Sequence, residues 1–128
     1  MYVDKSHLLT GVNEPENYYC AVWAYTVHHS ELAVRMISTR DETPSTKKFY
    51  WIFSGVLFYE GPLNWQGADF SFDDSGRNTI LMKIYPALNN SEKLAMQNLF
   101  RLFTFIDKKS GLDVRILASG VTRLEKLH

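Results

Sequence analysis

The alternation of apolar and polar residues along the chain predicts a protein built mostly of β-strands. From Tyr18 to Val27 apolar residues occupy both parities, which predicts a strand buried on both faces. The polar residues His28–Glu31 end this run, and Leu32–Ile37 then alternates as a half-buried strand does. These two strands are expected to form an antiparallel hairpin. Phe49–Tyr59, rich in aromatic and β-branched residues, predicts a central strand that is covered on both faces.

The second half of the chain predicts further strands around one long helix. Ala68–Phe72 and Asn78–Tyr85 are expected to be strands, separated by a turn at Asp73–Gly76, and Pro86 ends the second of them. Val114–Ala118 is expected to be the last strand.

The helix is predicted between Asn90 and Asp107. Asn89 or Asn90 caps its first turn, and Glu92 lies near the positive end of the helix dipole. A three-four spacing of apolar residues predicts one buried stripe along it, which contains Leu99, Phe103 and Ile106.

Strands grouped before and after a single helix are typical of the α+β class. The predicted architecture is a mostly antiparallel sheet of about five to six strands packed against one long helix. With 128 residues the chain is expected to form one domain, residues 1–128. Residues 1–16 are predicted to be an irregular arm and residues 121–128 a tail.

Composition and charge limit the possible functions. Hydrophobic residues make up 45% and charged residues 22% of the chain, and the formal net charge is zero, so no basic field favours nucleic acid or an anionic membrane. The sequence shows neither the pattern of a signal peptide nor an apolar run of membrane-spanning length. With Cys20 as the one cysteine, a cytoplasmic protein without an intramolecular disulfide is expected, and Cys20 is predicted to be a core residue.

The titratable residues do not form a recognisable catalytic or metal-binding motif. His28 and His29 are adjacent, and in a strand their side chains would diverge to opposite faces. Asp69, Asp73 and Asp74 lack the spacing of a calcium loop. The sequence therefore predicts no catalytic residue, no metal site and no cofactor.

The loop Gly61–Gly67 has the composition of a recognition surface. Trp65 offers a large rigid contact area, and the flanking amides of Asn64 and Gln66 can donate and accept hydrogen bonds. Together with the nearby Tyr59 these residues are the predicted binding site. The alternative is structural, with Trp65 tucked under a corner between two strands.

These observations predict a soluble, non-enzymatic binding or interaction module, of an immunity- or adaptor-like kind, that engages a protein partner or its own copy. A homodimer is favoured because zero net charge opposes association little, and Leu32–Ile37 and Asn78–Tyr85 are the expected edge strands. The alternative is a small-ligand-binding domain or modest hydrolase with a pocket between sheet and helix. Neither nucleic acid nor a membrane is an expected partner.

Overall fold

The strands form two antiparallel sheets in the computed structural model, which describes residues 18–38, 48–107 and 110–125. The five-stranded sheet contains, in spatial order, β5 (Asn64–Gln66), β1 (Tyr18–Thr26), β2 (Glu31–Ser38), β3 (Lys48–Ser54) and β9 (Gly120–Leu124). The four-stranded sheet contains, in spatial order, β4 (Phe58–Glu60), β8 (Leu112–Ala118), β7 (Arg101–Asp107) and β6 (Ser71–Phe72). The predicted arm 1–16 lies outside the described residues, and the start of the predicted tail belongs to β9.

Two helices and a short 3₁₀ turn complete this part of the chain. The helices are α1 (Asp74–Ile84) and α2 (Asn90–Leu99), and the 3₁₀ turn Val27–His29 joins β1 to β2. The α+β class and the mostly antiparallel pairing are confirmed. The prediction of one sheet against one long helix is wrong, because the described residues form two sheets and two helices.

The main core lies between the two sheets. Every second side chain of β1, β2 and β3 points toward the four-stranded sheet, as the two-residue period of a strand requires. Aromatic rings meet edge to face in this layer: Phe103 lies 5.2 Å from Phe53 and 5.2 Å from Phe72, and Phe70 lies 5.7 Å from Trp51, between ring centroids. Such pairs add to the stabilisation from apolar burial.

The helices cover the other face of the four-stranded sheet. Ile80 and Leu81 of α1 pack on Leu102 of β7 and Leu117 of β8, and all four side chains are buried. Arg77 of α1 joins the helices, because its Nη1 donates to the carbonyl of Gln97 in α2 at 3.0 Å.

The predicted strand Asn78–Tyr85 is helix α1, and the predicted turn before it is the start of that helix. The side chain of Asp73 caps α1 by accepting the N–H of Gly76 at 2.9 Å. Ile80, Met82 and Ile84 alternate as in a strand, yet Met82 and Ile84 are exposed. The buried side chains are instead those that face β7 and β8.

The predicted long helix ends at Leu99. Its predicted start is confirmed, since Asn89 and Glu92 form a reciprocal capping box. Residues 101–107 are β7, in which Phe103 belongs to the core between the sheets while Ile106 is 63% exposed, and Leu99 in α2 is 59% exposed. The predicted stripe is therefore wrong. Aromatic and β-branched side chains are packed better in a strand whose backbone is hydrogen-bonded to β6 and β8.

The predicted central strand is divided between the two sheets. β3 is covered on both faces as predicted, but the chain leaves it at Gly55, whose φ of +59° suits glycine, and enters the four-stranded sheet as β4. The β8–β9 connection crosses at the same corner, where Ser119 donates its backbone N–H to the carbonyl of Ser54 at 2.9 Å.

The hairpin of β1 and β2 is confirmed, with Tyr18–Thr26 paired to Glu31–Ser38. β2 lies between β1 and β3, so its predicted role as an edge strand is wrong. The outer face of β1 is exposed rather than buried, since Tyr19 is 40% and Trp23 is 49% exposed.

Candidate functional site

The structure places Trp65 in the core. Its side chain is 2% exposed, its Nε1–H donates to the carbonyl of Gly67 at 2.9 Å, and its ring meets Phe70 edge to face. Trp65 was interpreted either as part of a recognition surface or as a residue tucked under a corner between two strands. The position of its side chain agrees with the second interpretation. A binding role for the loop stays a prediction.

The four predicted binding residues do not converge. Because Trp65 points into the core, Asn64 and Gln66 on either side of it point to the outer face of the five-stranded sheet. Tyr59 lies on β4, where its hydroxyl donates to the carbonyl of Pro62. Partial burial raises the pKa of Tyr59 to about 12 because the charged phenolate is disfavoured away from water.

The other titratable candidates are separated from one another. His28 and His29 lie exposed in the 3₁₀ turn. Cys20 is fully buried, as predicted; its thiol donates to the carbonyl of Gly67 at 3.4 Å, and burial raises its pKa, which disfavours the reactive thiolate. Within residues 18–38, 48–107 and 110–125, no three His, Cys, Asp or Glu side chains are grouped so that they could hold a metal ion.

The outer edge of β1 is only partly covered by another strand. β5 pairs with β1 at Tyr19, Cys20 and Ala21, and the N–H of Val22 donates to the carbonyl of Leu63 at 2.8 Å. Beyond this bond, no strand among the described residues pairs with the outer edge of β1.

A β-bulge sets which backbone groups face that open edge. The bulge inserts Trp23 between Val22 and Ala24, after which Ala24 is paired with Ala33 of β2. Because alternate residues of an antiparallel strand hydrogen-bond to the same neighbour, the backbone N–H and C=O of Tyr25 then face away from β2. These two groups are the kind of donor and acceptor with which an added strand pairs.

Large apolar side chains surround the open edge. We call this group the β1 surface; it consists of Tyr19, Trp23, Tyr25, Val27 and Leu63. Trp23 and Tyr25 are each 49% exposed, Val27 is 75% exposed and Leu63 is 72% exposed. The guanidinium carbon of Arg35 on β2 lies 4.0 Å from the centroid of the Trp23 ring, a cation–π contact that orients this ring on the outer face. The sequence pattern had these β1 residues buried, so it missed this surface.

A cleft of about 310 Å³ opens between the sheets, where β1 faces β4. Its lining consists of Val22, Tyr25, Leu32, Val56, Leu57, Phe58, Tyr59 and Leu63. Leu32 and Val56 are buried at its floor, whereas Tyr25 and Leu63 are exposed at its mouth. Of the predicted binding residues, Tyr59 is the one that contributes to this cleft.

The sequence matches no protein-family model and no curated protein, and the fold matches no solved structure. Within the described ranges, neither helix has the length and apolar character needed to cross a membrane.

Proposed function

We propose that this chain is a non-enzymatic interaction module that binds an extended segment of a protein partner, or of a second copy of itself, along the outer edge of β1. One observation carries the proposal: the open edge at Tyr25 lies among the exposed side chains of the β1 surface. Strand addition uses this combination, in which backbone hydrogen bonds give affinity and side-chain contacts give specificity.

The size of the β1 surface supports a specific contact. An aromatic side chain presents on the order of 150–250 Å² in total, so Tyr19, Trp23 and Tyr25, at 40% to 49% exposure, together offer roughly 200–350 Å². Val27 and Leu63 add further exposed apolar area, so apolar side chains flank the open edge on both faces of the sheet. An added strand would supply the rest of a contact of about 800 Å² per partner.

A second copy is the favoured partner. Two β1 edges related by a two-fold axis run antiparallel, so the same groups on each copy can satisfy one another. The formal net charge of zero adds little long-range repulsion to this approach. Such a homodimer would join the two five-stranded sheets into one continuous sheet.

The test replaces exposed apolar side chains of the β1 surface with lysine, which natural edge strands use to prevent pairing. The double variant Tyr25→Lys/Val27→Lys is compared with Leu94→Lys/Leu99→Lys, in which two exposed leucines of α2, outside the β1 surface, are changed. Light scattering over a concentration series should show a dimer for the parent chain and the α2 variant, and a monomer for the β1 variant. A dimer that persists in the β1 variant, and dissociates in the α2 variant, would contradict the proposed surface.

If the parent chain is a monomer at high micromolar concentration, the second copy is eliminated and a different protein partner becomes the prediction. Selection from a displayed library of random peptides then tests strand addition directly. Selected peptides should bind the parent chain and the α2 variant equally and lose at least tenfold in affinity for Tyr25→Lys/Val27→Lys. Peptides that bind both variants equally would refute a contact at β1.

The alternative function is a small-ligand-binding domain, and the cleft that supports it does not lie between sheet and helix, where the pocket was predicted. Between the helices and the four-stranded sheet, the space is filled by the side chains of Ile80, Leu81, Leu102 and Leu117. The cleft between the two sheets, with a volume of about 310 Å³ and a lining without charged residues, is the feature that favours a small ligand.

A further inference from the structure

We infer that the cleft between the two sheets is a binding site for a small, uncharged, apolar molecule. This site goes beyond partner binding, because it uses the inward-facing side chains of β1 and β4 rather than the backbone edge. The two sheets meet at the cleft with their inner faces, so Val22 and Leu32 on one side oppose Tyr59 on the other.

The volume of the cleft sets the size of the occupant. At about 310 Å³ it falls at the lower end of the 300–1,000 Å³ found for small-molecule sites. A non-hydrogen atom of an organic molecule occupies a volume of the order of a water molecule, about 30 Å³, so roughly ten such atoms fill the space. This corresponds to two fused rings or a medium-length hydrocarbon chain.

The lining sets the chemistry of the occupant. None of its eight residues is an aspartate, glutamate, lysine, arginine or histidine. A charged ligand buried here would lose its hydration without gaining a counter-ion, which is strongly unfavourable. The phenol of Tyr59 already reports such an environment, because burial raises its pKa to about 12. A neutral molecule meets no such penalty.

The probe pair is 1-naphthol and 1-naphthoate, which share one ring system and differ in charge at neutral pH. Isothermal titration of the full chain should show saturable, one-to-one binding of 1-naphthol. Binding of 1-naphthoate should be at least tenfold weaker, because its carboxylate finds no cation in the lining. Equal affinity for the two probes would overturn the inference, and so would the absence of saturable 1-naphthol binding up to its solubility limit.

Two variants locate the site. Leu63→Asp places a carboxylate at the mouth of the cleft, and Leu94→Asp makes the same change at an exposed leucine of α2, outside the lining and outside the β1 surface. Leu63→Asp should weaken 1-naphthol binding at least tenfold, whereas Leu94→Asp should change it less than twofold; both should keep the denaturation midpoint of the parent chain. Equal effects of the two variants would show that the probe binds elsewhere. Because dimerisation and peptide binding are measured separately, failure of this site and failure of the partner surface are distinguishable.

Discussion

The replacement of Phe103 by alanine tests the division of residues 90–107 into a helix and a strand. Phe103 is fully buried between the sheets, with its ring 5.2 Å from those of Phe53 and Phe72. Removing a buried phenylalanine side chain costs about 3–5 kcal/mol, and the loss of two edge-to-face pairs places this variant in the upper half of that range. We therefore expect Phe103→Ala to lower the free energy of unfolding by about 4 kcal/mol.

Ile106→Ala is the matched control in the same strand. Ile106 is 63% exposed, so it buries about a third of a side chain whose full burial is worth roughly 1.5–3 kcal/mol. Its replacement should cost about 0.5–1 kcal/mol. In a continuous helix the two residues would lie on one buried stripe and cost similar amounts.

Equilibrium urea denaturation, followed by the fluorescence of the buried Trp51 and Trp65, measures both variants. With a slope of about 1–3 kcal/mol per molar urea, the midpoints of Phe103→Ala and Ile106→Ala should differ by more than 1 M. Phe103→Leu, which retains most of the apolar volume, gives a second measurement if the alanine variant is unfolded in buffer. A difference of less than about 1 kcal/mol between the two alanine variants would refute the placement of Phe103 in the core between the sheets.

Three further predictions concern the helix cap, a tyrosine and a corner. Asn89→Ala removes the capping box of α2 and should destabilise the chain by about 1 kcal/mol, measured by thermal melting. The pKa of Tyr59 is about 12 in the folded chain and about 10 in the unfolded chain. Between pH 10 and pH 12 the unfolded state therefore binds fewer protons than the folded state, so the free energy of unfolding falls as the pH rises through this range. Tyr59→Phe lacks this group and should lose less stability than the parent chain from pH 9 to pH 11, by on the order of 1 kcal/mol, in urea titrations at the two pH values. Gly55→Ala introduces a side chain at φ +59° and against Ser119, and should cost about 1–3 kcal/mol; a melting temperature equal to that of the parent chain would argue against this backbone conformation.

The pattern of residues along the chain was sufficient to predict a segment's conformation where that pattern fits one conformation alone. The hairpin of β1 and β2 follows from two apolar runs joined by a short polar segment, and the contact between them is local. The apolar residues on both parities of β3 require cover on both faces, which the structure provides. The start of α2 follows from Asn89 and Glu92, because a capping box is formed within one turn of chain.

Other segments fit more than one periodicity, and their conformation is decided by what packs against them. Asn78–Tyr85 alternates like a strand, but Ile80 and Leu81 fit the face of the four-stranded sheet when the segment is a helix. Residues 101–107 fit the stripe of a helix, but two neighbouring strands pair with their backbone, and Phe103 then reaches the core. β8 follows β7 directly along the chain, but β6 is separated from β7 by both helices.

The candidate surfaces were also decided by tertiary structure. The apolar residues of β1 indicate burial, yet the sequence does not record that Tyr19 and Trp23 on its outer face are exposed or that β5 pairs with Tyr19–Ala21 alone among the described residues of β1. Trp65 was predicted to bind a partner because of the composition of its loop, but its indole is buried in the core, where it donates a hydrogen bond to the carbonyl of Gly67. The sequence by itself determined which segments are apolar, where the hairpin of β1 and β2 lies and where α2 begins. The tertiary structure decided which of those apolar groups are buried and which remain exposed, because burial depends on residues that are distant along the chain.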